Sequence, residues 1–290
     1  MTNVDRIIKT IWGNTNVEYV PLDGGFVNFT YKVKVNNNCF VLRINGDQND
    51  YLGLSRQDEA EVMRLAGEMG IAPKVLPQST SEYLITEFVD ANTLTYEEMR
   101  QPIMLQNAVE VLKKIHSIQG INRHFSPFDL VGKHIEGMKT LHIPLPKELE
   151  ELLPEVDEIK KRFDKSISYR KAYCHNDFYR FNVLNDSKSL YVIDWELSGI
   201  GDIFFDLATI SFHEAFSPEQ DEFMLKCYFG QVEPKFLTAL DDMKYMNMLR
   251  EATWGLLHSG MDEDTVNHDM NYFEHGMGTL MKLKSGMLHL

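Results

Sequence analysis

The chain has 290 residues, 43% of them apolar and 25% charged, which excludes a disordered segment and allows one large or two modest folded domains. A formal charge of −14 argues against nucleic acid as a partner, because a phosphate backbone asks for clustered Lys and Arg. No apolar run reaches the roughly 18 to 20 residues that cross a bilayer, so no membrane insertion is expected. Met1-Thr2-Asn3-Val4-Asp5-Arg6 lacks the basic start and apolar stretch of a secretory leader. Cys39, Cys174 and Cys227 form neither a disulfide framework nor a Cys-x-x-Cys pair. A cytoplasmic location is the expectation.

From Val17 to about Val89 the pattern is mainly strand. Val17 to Val20 leads into a turn at Asp23-Gly24-Gly25, and Thr30-Tyr31-Lys32-Val33-Lys34-Val35 alternates with period two. Asn36-Asn37-Asn38 reads as a hairpin turn, since Asn tolerates left-handed angles, and Cys39 to Ile44 returns. A helix is predicted over roughly Arg56 to Met69, stopped by Gly70. Tyr83 to Val89 is another strand. After Asp90 a helical period takes over at Ile103–His116, Pro127–Thr140, Lys147–Phe163, Pro218–Phe229 and Lys235–His258. Only Tyr169 to Trp195 interrupts it, with short apolar runs bracketing polar loops. Strand-rich then helix-rich order predicts an α+β chain of two lobes: a sheet with one helix, residues 1–90, and a mostly helical remainder, residues 91–290.

The segment that carries chemistry is His175-Asn176-Asp177-Phe178-Tyr179-Arg180-Phe181-Asn182, followed by Asp194-Trp195-Glu196. Asp177 and Asn182 occupy a loop between two short strands and Asp194 ends the second, so a hairpin would bring the three together. One carboxylate can then accept a hydroxyl proton, while an amide oxygen and a second carboxylate hold a hard cation such as Mg²⁺. Asp-x4-Asn followed by a strand ending in Asp is the order in protein-kinase catalytic and metal loops. Phosphoryl transfer needs little beyond that positioning and charge neutralisation.

With Asp202 and Phe205-Asp206-Leu207-Ala208 added, these motifs resemble the choline/ethanolamine kinase family, its bacterial choline kinases in particular, within the aminoglycoside-phosphotransferase-like group. The resemblance runs over nearly the whole chain. Leu22 to Asn28 resembles the turn that covers the nucleotide, Phe40 to Ile44 the third strand, Arg56-Gln57-Asp58-Glu59 the start of the first-lobe helix, and Ala252-Thr253-Trp254-Gly255-Leu256 the substrate helix. It implies a two-lobed protein-kinase-like fold and transfer from ATP to an alcohol. Asp177 would be the base, with His175 orienting its loop, and Asn182 and Asp194 would bind Mg²⁺ with Glu196 beside them. Gly24, Gly25, Asn28 and the Glu87-Phe88-Val89 hinge would lie against ATP. Arg43, where protein kinases carry Lys, would pair with the phosphates and with Glu59. Asp206 would brace the loop through backbone amides.

A quaternary ammonium is held by aromatic faces and nearby carboxylates. Trp254, Tyr272, Phe273, Phe212 and Glu214 are the candidates for that role, and choline the expected acceptor. Many family members carry a second Trp one turn after Trp254, where this chain has Leu257. Ethanolamine, thiamine, an aminoglycoside or another amino alcohol stay open as acceptors, as does a silent ATP-binding module. His213-Glu214 lacks the second His of a zinc His-Glu-x-x-His motif.

Overall fold

The computed structural model describes residues 3–13, 15–22, 28–45, 56–166, 170–261 and 271–288; Gly24 and Gly25 lie outside them. The chain opens with helix α1 (Asn3–Trp12), then strands β1 (Val17–Pro21), β2 (Phe29–Val35) and β3 (Asn38–Ile44), helix α2 (Arg56–Glu68) and strand β4 (Tyr83–Glu87). The four strands form an antiparallel sheet in the order β1-β2-β3-β4. Alternation drives the β2–β3 hairpin, and Asn36 takes the left-handed φ of 54° that its tight turn requires.

The first lobe departs from expectation in carrying two helices. Helix α1 is the additional one, and its Val4, Ile7, Ile8 and Ile11 do follow helical spacing. Val4, Ile7 and Ile8 bury against Val33, Val35, Leu42, Ile44 and Ile85, giving the sheet an apolar core of its own. Helix α2 turns the other way. Its Val62, Met63 and Ala66 join the large core of the helical lobe together with Leu84, so α2 ties the sheet to that lobe.

The second lobe runs through β5 (Asn92–Thr93), α3 (Tyr96–Met99), α4 (Pro102–His116), α5 (Pro127–Thr140) and α6 (Lys147–Ser166). Then come β6 (Lys171–Cys174), a 3₁₀ turn at Arg180–Asn182, β7 (Val183–Asn185), β8 (Leu190–Val192) and β9 (Gly199–Asp202). Helices α7 (Ile203–His213), α8 (Pro218–Phe229), α9 (Pro234–His258) and α10 (Tyr272–Lys284) complete it. Helix α9 is buried on nearly every face, as a central helix must be, and packs against α5, α7 and α10. Two small sheets, β5-β7-β8 and β6-β9, hold the loops between β6 and α7 over this helical base.

Candidate active site

The loop after β6 is fixed from below by one carboxylate. Asp206, fully buried near the start of α7, accepts the His175 amide at 2.9 Å and the Asn176 amide at 2.6 Å. Its Oδ2 also meets His116 Nε2 at 2.9 Å. Two amides on one carboxylate set the curvature of the loop, and Asn176 supplies the left-handed residue, at φ 67°, that this curvature needs. His175 then joins this loop to the next, its Nε2 donating to the Ile193 carbonyl at 3.1 Å. Burial holds that imidazole down at about 4 and thus neutral. His175 is therefore placed to orient the loop.

Asp177 emerges from this frame. Asn182 Nδ2 donates to the Asp177 carbonyl and to its Oδ2, each at 2.9 Å, leaving the amide oxygen of Asn182 for another partner. Arg250 Nη2, from α9, approaches Asp177 Oδ1 at 3.4 Å. Burial pushes the Asp177 carboxyl up to about 6, with Arg250 opposing and Glu251 reinforcing the rise. Asp194 follows β8 with a left-handed φ of 63°, a conformation uncommon for a residue other than Gly. Its Oδ1 is buried without a hydrogen-bond partner. Burial first, then Glu196, Asp177 and Glu59, raise its pKa well above the carboxylate range against the pull of Arg43. Carboxylates that push one another's pKa upward are the complement of a divalent cation, so the donor set around Asp194 and Asn182 fits hard Mg²⁺.

A second network backs the cluster. Arg43 on β3 makes a bidentate pair with Glu59 on α2, at 2.5 and 2.7 Å. Arg56, at the first position of α2, donates through one nitrogen to Glu59 Oε2 and Glu196 Oε2, both at 3.1 Å, and through the other to Asn28 Oδ1 at 2.9 Å. Glu196 and Asn28 thus have protein partners, and Asn28 also donates to Glu196 at 3.4 Å. Glu87 is exposed at the end of β4, and its amide donates to the Lys74 carbonyl at 2.9 Å. That amide is already committed, so an adenine contact from Glu87 would come through its carbonyl.

The acceptor side corrects the expected residues more sharply. Trp254 packs edge-on to Tyr272 at 5.4 Å between ring centroids and against His258 at 4.5 Å, so Trp254 and Tyr272 do come together. Phe273, the next residue on α10, is 55% exposed. Phe212 is fully buried inside α7, where a substrate cannot reach it. Glu214 is also buried, its carboxylate meeting the Arg180 amide at 3.2 Å and the guanidinium at 3.0 Å. The residue between them is the one turned to the cleft: His213 stacks on Tyr179 at 4.3 Å and stands 3.9 Å from Glu251. Each residue of a helix is rotated by about 100° from the last, so the aromatic and acidic residues flanking His213 point to other faces. Arg56, Arg250, Glu251, His213 and Tyr179 have no assigned role in the sequence pattern. The spacing of Arg250 and Glu251 ahead of Trp254, one helical turn, is the signal that could have found two of them.

A half-buried carboxylate on a loop between short strands, an Asp after the next strand, and an Arg–Glu pair linking sheet to helix define a protein-kinase-like phosphotransferase with an alcohol as acceptor. Residues 20–227 match the family model for choline/ethanolamine kinase, and the chain belongs to that ATP-using family. It is 26% identical over 253 residues to Protein LicA of Haemophilus influenzae, covering 84% of this chain and 74% of that protein. It is 24% identical over 289 residues to a probable ethanolamine kinase of Arabidopsis thaliana, covering 86% of this chain and 76% of the plant protein. The crystal structure of choline kinase LicA from Streptococcus pneumoniae is similar in fold, with a TM-score of 0.78 at 22% identity over 97% of this chain and 100% of the other. No helix among the described residues is long and apolar enough to cross a membrane.

Proposed function

We propose that this chain phosphorylates the hydroxyl of choline, giving phosphocholine and ADP. The observation that carries the reading is the reach of Arg250 to Asp177. Arg250 precedes Trp254 by one turn of α9, so the helix bearing the aromatic face for a cation also touches the expected base. An alcohol held there has its hydroxyl beside Asp177 and its ammonium beside Trp254.

In this reading Asp177 accepts the hydroxyl proton as the alcohol oxygen attacks the γ-phosphorus in line, and the bond to the ADP oxygen breaks. Asn182 keeps the Asp177 carboxylate aimed through its hydrogen bond to Oδ2. Arg43, held flat by Glu59, offers its guanidinium to the phosphates. Asn182 and Asp194 would hold Mg²⁺ with Glu196 beside them, and the bound ion supplies charge neutralisation for the triphosphate. Ethanolamine is the second reading, favoured by Leu257 in the place of a second cage Trp. The family itself spans both acceptors.

The test is Mg²⁺-dependent ADP release from ATP with choline, ethanolamine, thiamine and an aminoglycoside panel. Saturable turnover with choline supports the proposal. Turnover confined to another alcohol overturns the acceptor and keeps the kinase, and ATP binding without turnover of any of them leaves a silent binding module.

A further inference from the structure

The acceptor side of the cleft is more polar than a cage for a methylated cation needs. Glu251 and Trp254 lie three residues apart on α9, the spacing that shares a helix face. Arg250 Nη2 meets Glu251 Oε1 at 2.7 Å and Asp177 Oδ1 at 3.4 Å. One guanidinium nitrogen therefore bridges the two carboxylates and ties Glu251 to the expected base. Glu251 Oε2 faces His275 Nε2 at 3.4 Å. His213 Nε2 stands 3.9 Å from Oε1 and is buried without a hydrogen-bond partner. Trp254 lies edge-on to His275 at 6.3 Å.

A quaternary ammonium has no N–H and is held by ring faces and charge alone. A primary ammonium has three donors, which a carboxylate and neutral imidazole nitrogens accept. Burial works to raise the Glu251 carboxyl, but Arg250 and the His275 hydrogen bond outweigh it and hold it down at about 2. Burial keeps His213 at about 3 and uncharged. Near neutral pH the cluster therefore offers an ionised carboxylate and a neutral imidazole with an unpartnered nitrogen. A buried polar atom without a partner costs free energy until something bonds to it.

We infer that Glu251 and His213, with His275 donating to the carboxylate and holding it in place, form a hydrogen-bonding ammonium subsite that lets this pocket take N–H-bearing amino alcohols as well as choline. Trp254 reads the methyl groups and Glu251 reads the N–H groups. The inference rests on the amino-alcohol kinase reading above.

The experiment compares kcat/KM for ethanolamine, its N-methyl and N,N-dimethyl forms, and choline in the wild type and in Glu251→Gln. Gln still accepts from Arg250 but lacks the charge. The expected result is a fall of about tenfold or more in the ethanolamine-to-choline ratio, the size of one charge-assisted hydrogen bond. The loss should shrink with each added methyl and appear in KM. His213→Phe, which keeps a ring and removes the unpartnered nitrogen, should move the ratio the same way, and it carries the test if the Gln variant does not fold. A uniform loss across all four alcohols, carried by kcat, would overturn the inference, since Glu251 would then only position Arg250 and Asp177. So would a wild type that turns over choline but not ethanolamine. Silence toward all four alcohols with ATP binding intact would instead overturn the amino-alcohol reading itself.

Discussion

At the scale of single residues the cleft is a set of charges that depend on one another. Asp177 is half-buried beside Arg250 and is aimed by Asn182, so replacing it with Asn keeps the shape and removes the proposed proton acceptor. Asp177→Asn is expected to lower kcat by about 10²-fold or more, the usual contribution of a positioned base, with the KM for ATP little changed. Near-normal turnover in steady-state ADP release would remove Asp177 from that role. Arg56 is the residue whose importance only the contacts reveal, because its guanidinium spans Glu59, Glu196 and Asn28. Arg56→Met leaves Glu59 its bidentate partner Arg43 but releases Glu196. It should cost about tenfold in kcat/KM, the scale of a lost hydrogen bond to a charge, with the Arg43–Glu59 pair intact in a crystal structure of the variant. The His175–Glu196 segment is legible in the chain because its members lie on two neighbouring loops, where spacing alone brings them together. Arg250, Glu251 and His213 come from distant helices, and nothing in their local sequence says which face meets Asp177.

At the scale of elements the acceptor pocket depends on how closely α9 and α10 approach. A Cβ on Gly276 would lie 2.9 Å from the Ala252 carbonyl oxygen and from the Leu256 backbone nitrogen, and one on Gly255 would lie 2.9 Å from the Tyr272 carbonyl oxygen. These glycines let the two backbones touch, which brings Tyr272 and His275 to Trp254. Gly276→Ala should therefore destabilise by about 1–3 kcal/mol, as overpacking does, and raise the KM for the amino alcohol. Gly278 on the same helix has nothing within 4 Å of its Cβ position. Gly278→Ala should instead be neutral or stabilising by up to about 1 kcal/mol. Urea unfolding of the pair checks both, and equal effects would refute the close-approach argument. Strands and long helices are readable from their periods, and Pro127–Thr140 and Pro218–Phe229 have the expected bounds. Helix α1 escapes that reading although its pattern is present, and the two-residue β5 is too short to carry a period at all.

At the scale of the whole molecule, buried histidines make stability depend on pH. His134 on α5 is enclosed against α9, with Nδ1 at 2.9 Å from the Thr253 hydroxyl. Burial, aided by Arg250, lowers its pKa from the ordinary 6.5 to about 3. As pH falls, the folded state then binds its proton later than the unfolded state does. Its contribution is fully present above pH 6.5 and is lost as pH falls toward 3, at about 1.4 kcal/mol per pH unit. His134→Gln is expected to unfold more easily than the wild type at pH 7, with the gap narrowing between pH 6.5 and 5 in urea titrations. A constant gap would mean that His134 does not stay neutral in the fold. The amino-acid sequence by itself determined the two-lobed class, most of the longer strands and helices and the segment proposed as the catalytic loop, because periodicity and short-range spacing are properties of neighbouring residues. Only the tertiary structure decided which carboxylate stands by the base, which face of α7 meets the cleft, and that Glu214 and Phe212 are buried away from it. Those outcomes arise from the rotation and close packing of helices far apart in the chain, and no local pattern records them.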